Sequence, residues 1–284
     1  MFPKALSPKR TASLLIPTPL LVALAIAGCN SEPAPQKLPA DAAESELAGN
    51  VVQPADFAQP AEAAIREKVG EIEFDYSWPQ AAARIPELDA WLRGNGEHLR
   101  AQTLDKARIE EASAREAGYP FRGYTYEERW GVVADLPALL VMQSEGYTFT
   151  GGAHGMPIVT ILIWDKAREQ RLSANALLDI AQLKDGLNDR FCSALDAERA
   201  KRRGEPVRTD DPNEISDFVR CVDFARQIIV PVSLKGQALD TIRIVIMPYE
   251  AGPYAEGIYQ LDLPVDEAVM RAVKPAYRDA FARS

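Results

Sequence analysis

The chain has 284 residues, 47% of them hydrophobic and 26% charged, a globular composition long enough for one large domain or two small ones. Its net charge of −9 argues against nucleic acid as a partner, because a phosphate backbone must be met by lysine and arginine. The same acidity disfavours adhesion to anionic lipid and steers cationic partners in.

Residues 1–28 carry Lys4, Lys9 and Arg10 and no acid, so the rest of the chain stands at −12. A basic start, then "LLIPTPLLVALAIAGC" with small residues at its end, reads as a secretory signal. The apolar stretch is 16 residues, short of the roughly 20 that a spanning helix needs. Its end, Ile26-Ala27-Gly28-Cys29, resembles a bacterial lipoprotein box. That resemblance implies that Cys29 carries lipid and begins the mature chain. Asn30 after it implies sorting to the outer membrane, on the periplasmic side of the cell envelope. Cys192 and Cys221 then remain, and two cysteines in an oxidising compartment predict a disulfide. The loop so closed is worth roughly 3 kcal/mol in the chain-entropy model. Two cysteines and two scattered histidines show no zinc-ligand spacing, so no metal is expected.

Residues 30–60 hold Pro33, Pro35, Pro39, Pro54, Pro60 and one aromatic, Phe57. Such a segment buries too little apolar surface to offset its ordering. Residues 29–69 therefore read as a tether, with order expected from residue 70. As a random coil this tether reaches roughly 30 Å.

"EIEFDYSW", 71–78, alternates cleanly and predicts a half-buried strand with Ile72, Phe74, Tyr76 and Trp78 on one face. Helical spacing follows over 86–117, with Leu88, Trp91, Leu92, Leu99, Leu104 and Ile109 as the buried stripe. Gly94 and Gly96 are expected to bend or break it. Strands are expected over 124–135, 138–149 and 157–165. A helix over 179–203 places Leu183, Leu187, Phe191 and Leu195 on one face, and its basic end suits the helix dipole. Residues 204–216 are polar and read as a loop. Three more strands are expected over 226–234, 239–248 and 258–264, then a helix over 265–281 that Pro275 kinks or ends. Strands and helices in blocks with hairpin-length connections predict an α+β fold, a largely antiparallel sheet packed against helices in two small sub-domains.

Two turns stand out. "YTFTGGAHG", 147–155, joins two strands and holds Tyr147, Thr150, Gly151, Gly152 and His154. The glycines permit backbone angles that a hairpin or bulge requires. For His154 two readings stand: a ring that bonds nearby backbone and locks the turn, or an acid–base or ligand residue. "MPYEAGPYAEG", 247–257, holds Tyr249, Glu250, Tyr254, Glu256 and Gly257 between two later strands. It reads as a self-packed turn, as a rigid binding surface in which tyrosine gives contact area at little entropic cost, or as a glycosidase-like carboxylate pair. The chain has no phosphate-cradling G-x-x-x-x-G-K-[ST], no G-x-S-x-G elbow and no H-E-x-x-H.

Together, "YTFTGGAHG" and "MPYEAGPYAEG" about a hundred residues on resemble the extracytoplasmic module of RsiV-type anti-sigma factors, which respond to lysozyme. The same module is similar to the non-catalytic part of PdaC-type peptidoglycan deacetylases. In family terms 70–150 looks like domain of unknown function 4163 and 151–265 like domain of unknown function 3298. The resemblance implies a sensor or binding module without its effector. The stretch ahead of the apolar run is too short for a sigma-binding segment, and His98 and His154 are the only histidines. The organisation expected is thus a signal peptide over 1–28, a tether over 29–69 and two sub-domains over 70–150 and 151–284. The function expected is a lipid-anchored binding module, without cofactor, for a lysozyme-type envelope protein or a peptidoglycan fragment. Membrane contact is expected through the lipid only. The alternative is an envelope hydrolase that uses Glu250 or Glu256 with His154.

Overall fold

In the computed structural model of the protein, which describes residues 61–208 and 215–284, the first sheet begins inside the expected tether. Strand β1, Ala61–Val69, pairs antiparallel with β2, Ile72–Pro79, around a turn at Gly70 with φ +60°. Residues 61–69 are therefore sheet, which corrects the tether's end. The physical reason is that an edge strand is held by backbone pairing and tolerates charge. Here the ion pairs Arg66–Asp75 and Lys68–Glu73 flank the ladder, and Ile65 enters the core with Ala63 packed against it. The expected signal peptide, Cys29 and residues 30–60 lie outside the described residues.

From β2 the chain crosses through helix α1, Pro86–Ala117, to β3, Tyr124–Asp135, which runs parallel to β2. Strands β4, Leu139–Phe149, β5, Met156–Asp165, and β6, Gln170–Leu172, follow as antiparallel neighbours. The sheet order is the chain order, β1 to β6. Helix α1 runs unbroken through both glycines. At Gly96 the missing side chain is what lets the helix dock, because a Cβ there would lie 2.6 Å from Cδ1 of Tyr76 and 2.8 Å from Cδ1 of Ile65. Ile109, expected in the buried stripe, is 68% exposed. The inner face passes through Leu104, Ala107 and Ala114, and a residue two places after Ala107 points away from it.

The two faces of the sheet carry different cores. Leu140 and Met142 of β4 pack with Trp78, Trp130, Trp164, Leu88 and Leu92 under α1. Leu139 and Val141, on the opposite face, join a larger core with helix α2, Ile180–Arg203, and a second sheet. That sheet is β7, Ile228–Val232, β8, Thr241–Ile246, and β9, Tyr259–Pro264, all antiparallel. Helix α2 starts at Asp179, whose side chain accepts from the Gln182 amide, and stops at Gly204 in the left-handed region. Leu183, Leu187, Phe191 and Leu195 are all fully buried. The last helix, α3, is only Glu267–Ala272, and Pro275 opens a separate 3-10 turn, Pro275–Ala280.

The fold is α+β with two antiparallel-rich sheets. The division between the sheets falls after β6 and not at residues 150–151, since β5 pairs with β4 along its length. Cys192 of α2 is bonded to Cys221.

Candidate functional site

The two turns, far apart in sequence, meet in space. Nε2 of His154 lies 3.1 Å from the Tyr249 hydroxyl, and Nδ1 lies 2.9 Å from the Gly155 carbonyl oxygen. A carbonyl can only accept, so Nδ1 carries a proton, and in the neutral ring Nε2 accepts from Tyr249. The ring stacks on Tyr254 with centroids 3.9 Å apart, and Tyr249 and Tyr254 lie 5.9 Å apart. Tyr147 joins from the end of β4, its hydroxyl accepting from the Gly155 amide at 3.1 Å. Gly155 is required here, since any Cβ would collide with the Tyr147 ring and the Thr148 carbonyl. Burial pushes the Tyr254 hydroxyl pKa up, and the neighbouring Tyr147 and Tyr249 hydroxyls add to it.

The outcome is an aromatic patch of three tyrosines and a histidine on the surface. Tyr249 is 50% exposed and Tyr147 38%. Thr150, Gly152, His154 and Glu250 are also exposed. Tyr249 stands at φ +71°, a left-handed backbone that L side chains rarely adopt, and its amide donates to the Gly252 carbonyl at 3.0 Å. Gly151, at φ +82°, and Gly257, at φ +68° and ψ −155°, supply turns that favour glycine.

One of the two candidate carboxylates is engaged elsewhere. Glu256 is turned to Arg203, with Oε1 2.7 Å from Nε and Oε2 3.0 Å from Nη2, and it also accepts from the Tyr259 hydroxyl. Burial opposes its ionisation, but the bonds from Arg203 and Tyr259 prevail and hold the carboxyl below the usual range. Burial, then the Glu256 carboxylate, pushes the Tyr259 hydroxyl up to about 12. The structure thus joins His154 to tyrosines and Glu256 to an arginine. It does not pair His154 with Glu256, one of the two carboxylates that the hydrolase alternative names, because the basic end of α2 claims that carboxylate. Among the described residues no group of three or more His, Cys, Asp or Glu is placed to hold a metal ion.

Sequence reasoning missed the residues that hold the second turn. They are Arg199, which donates to the Ala251 carbonyl, Arg202, which donates to the Glu256 carbonyl, and Arg203. A signal for Arg199 exists: it continues the four-residue ladder of Leu183, Leu187, Phe191 and Leu195, and like them it is 0% exposed.

Fold and site define a class, an α+β module that displays an aromatic patch built from two inter-strand turns. Residues 65–157 match the family model of the deacetylase PdaC. The chain shares its fold with a DUF3298 family protein from Bacteroides fragilis, with a TM-score of 0.51 and 15% identity over 77% of this chain and 94% of that one. A DUF3298 family protein from Pseudomonas aeruginosa PAO1 is also similar, with 16% identity over 80% of this chain and 100% of that one and a TM-score of 0.41. No curated protein matches the sequence.

Proposed function

We propose that this chain is the binding module of a lipid-anchored cell-envelope protein. Its ligand is a lysozyme-type protein or a peptidoglycan fragment, gripped by the patch of Tyr147, His154, Tyr249 and Tyr254. The observation that supports this most directly is the contact of His154 with Tyr249, 95 residues on in sequence, and with Tyr254 beside it. A turn that only reversed its own strands has no use for a partner from the other sheet, nor for a tyrosine held at positive φ with half its surface in solvent. Exposed rigid aromatics with two soft torsions are what contact surfaces favour. The acidic balance of the chain suits a cationic protein ligand. The resemblance to RsiV-type modules supplies the lysozyme class, and Cys29 at the lipoprotein box supplies the anchor.

Interferometry with a c-type lysozyme and with soluble muropeptides as probes tests the binding. One probe should bind, and Tyr249→Ala should weaken it about ten-fold or more. No binding of either probe, or equal binding by Tyr249→Ala, would sink the reading. Labelling with palmitate should mark the natural chain and not Cys29→Ala.

A further inference from the structure

We propose that Arg199 is the positioning residue of the aromatic patch, and that it belongs to a relay anchored by the Cys192–Cys221 disulfide. The proposal rests on the reading of the patch as a binding surface. The Arg199 guanidinium is wholly buried in α2, one turn beyond Leu195. Its Nε donates to the Ala251 carbonyl at 2.9 Å, and its Nη1 donates to the Arg220 carbonyl at 2.9 Å and to Asp196 at 3.2 Å. Ala251 lies two residues after Tyr249, inside the turn closed by the bond from the Tyr249 amide to the Gly252 carbonyl. Arg220 immediately precedes Cys221, which is bonded to Cys192 two turns earlier on α2. One side chain thus ties two segments that no sheet ladder joins: the Cys221 segment on one side and the Tyr249 turn on the other.

The residue type supports a role in position and not only in packing. The ladder from Leu183 to Leu195 is satisfied by hydrocarbon, and a leucine at 199 would continue it. A buried guanidinium is costly unless its donors are met. Here Asp196 meets part of its charge, and its planar fork aims donors at two carbonyls in fixed directions. The far end of the turn is held separately, by Arg202 on the Glu256 carbonyl and Arg203 on the Glu256 carboxylate. The near end, which carries Tyr249, depends on Arg199. The relay therefore runs from the disulfide to the Arg220 carbonyl, to Arg199, to Ala251 and so to the Tyr249 ring.

Hydrogen–deuterium exchange on the folded, unliganded protein reads this without a ligand. Arg199→Met and the paired change Cys192→Ala/Cys221→Ala should each speed exchange across 247–253 about ten-fold, with β3 and β4 unchanged. Combined in one chain they should add little beyond either alone, because both cut one relay. Arg199→Lys, which keeps a donor for one carbonyl, should recover part of the protection. Unchanged exchange at 247–253, or independent multiplying effects in the combined chain, would overturn the relay. Should Arg199→Met fail to fold, the paired cysteine variant decides alone on the same segment. A second arm measures c-type lysozyme and muropeptide binding, where Arg199→Met should lose about ten-fold. If exchange responds as expected while neither probe binds the natural chain, the relay stands and the binding reading fails, so the two failures are distinguishable.

Discussion

Tyr249 holds a left-handed backbone although it is not glycine, at a cost of about 1–2 kcal/mol. That cost is carried by the residues around it: His154 accepts from its hydroxyl, Gly252 accepts from its amide, and Arg199 holds Ala251. Glu256 does the same for the far end of the turn. Its side chain is 14% exposed and that of Arg203 18%, so the pair is shielded enough to matter. Glu256→Gln should lower stability by about 1–3 kcal/mol in urea unfolding at pH 7. The pH dependence has a definite sign. A carboxyl whose folded pKa is depressed contributes stability above its unfolded pKa and loses it as pH falls through the folded one. The gap between natural chain and Glu256→Gln should therefore be widest at neutral pH and close in acid. A gap that persists unchanged below pH 3 would show that packing, not charge, is lost.

At the scale of elements, α1 carries a matched pair of glycines with opposite roles. Gly94 faces open space, with nothing within 4 Å of a built Cβ, whereas Gly96 faces the Tyr76 ring and Ile65. Gly94→Ala should raise stability by about 0.5–1 kcal/mol, the helix preference of alanine over glycine. Gly96→Ala gains the same preference but overpacks the core, and should lower stability by about 1–3 kcal/mol. Thermal unfolding of the two variants checks this, and a stabilised Gly96→Ala would mean that Tyr76 and Ile65 yield freely. The helix itself was legible from the spacing of Leu88, Leu92 and Leu104, since a 3.6-residue period is a local property. That Gly96 docks against β1 and β2 was not, because the Tyr76 ring and the Ile65 side chain that it meets lie in other elements. Strand β1 was illegible for a related reason. Its order comes from backbone bonds to β2, which leave little mark on side-chain pattern.

Across the whole molecule, the faces of the central sheet meet unlike surroundings, and Glu145 records this. It lies on β4 on the same face as Gln143 and Tyr147. Burial pushes its carboxyl up to about 7, and the Arg243 charge and the Gln143 side chain only partly oppose the rise. Arg243 of β8 is itself engaged by Asp262 of β9, at 2.8 Å and 2.9 Å. A carboxyl with a raised folded pKa stabilises below its unfolded value and loses that contribution as pH rises through the folded one. Stability should therefore decline from about pH 4.5 to above pH 7, by on the order of 2 kcal/mol once solvent screening is allowed for. Glu145→Gln should flatten this slope in urea midpoints measured at pH 5 and pH 8. A slope of equal size in the variant would place its origin in another group.

The amino-acid sequence by itself determined the order and kind of nearly every strand and helix, the cysteine pair and the two glycine-bearing turns. Those features are written in periods of two and 3.6 residues and in the special needs of glycine and proline, all of which act over a few neighbours. Only the tertiary structure decided what the turns do. It set His154 against Tyr249 and Tyr254, gave Glu256 to Arg203 across 53 residues, and buried Arg199 between Ala251 and Arg220. The reason is that a polar side chain in a turn has many partners of suitable chemistry along the chain. Which one it meets is settled by how the two sheets and α2 pack, and no local pattern carries that information.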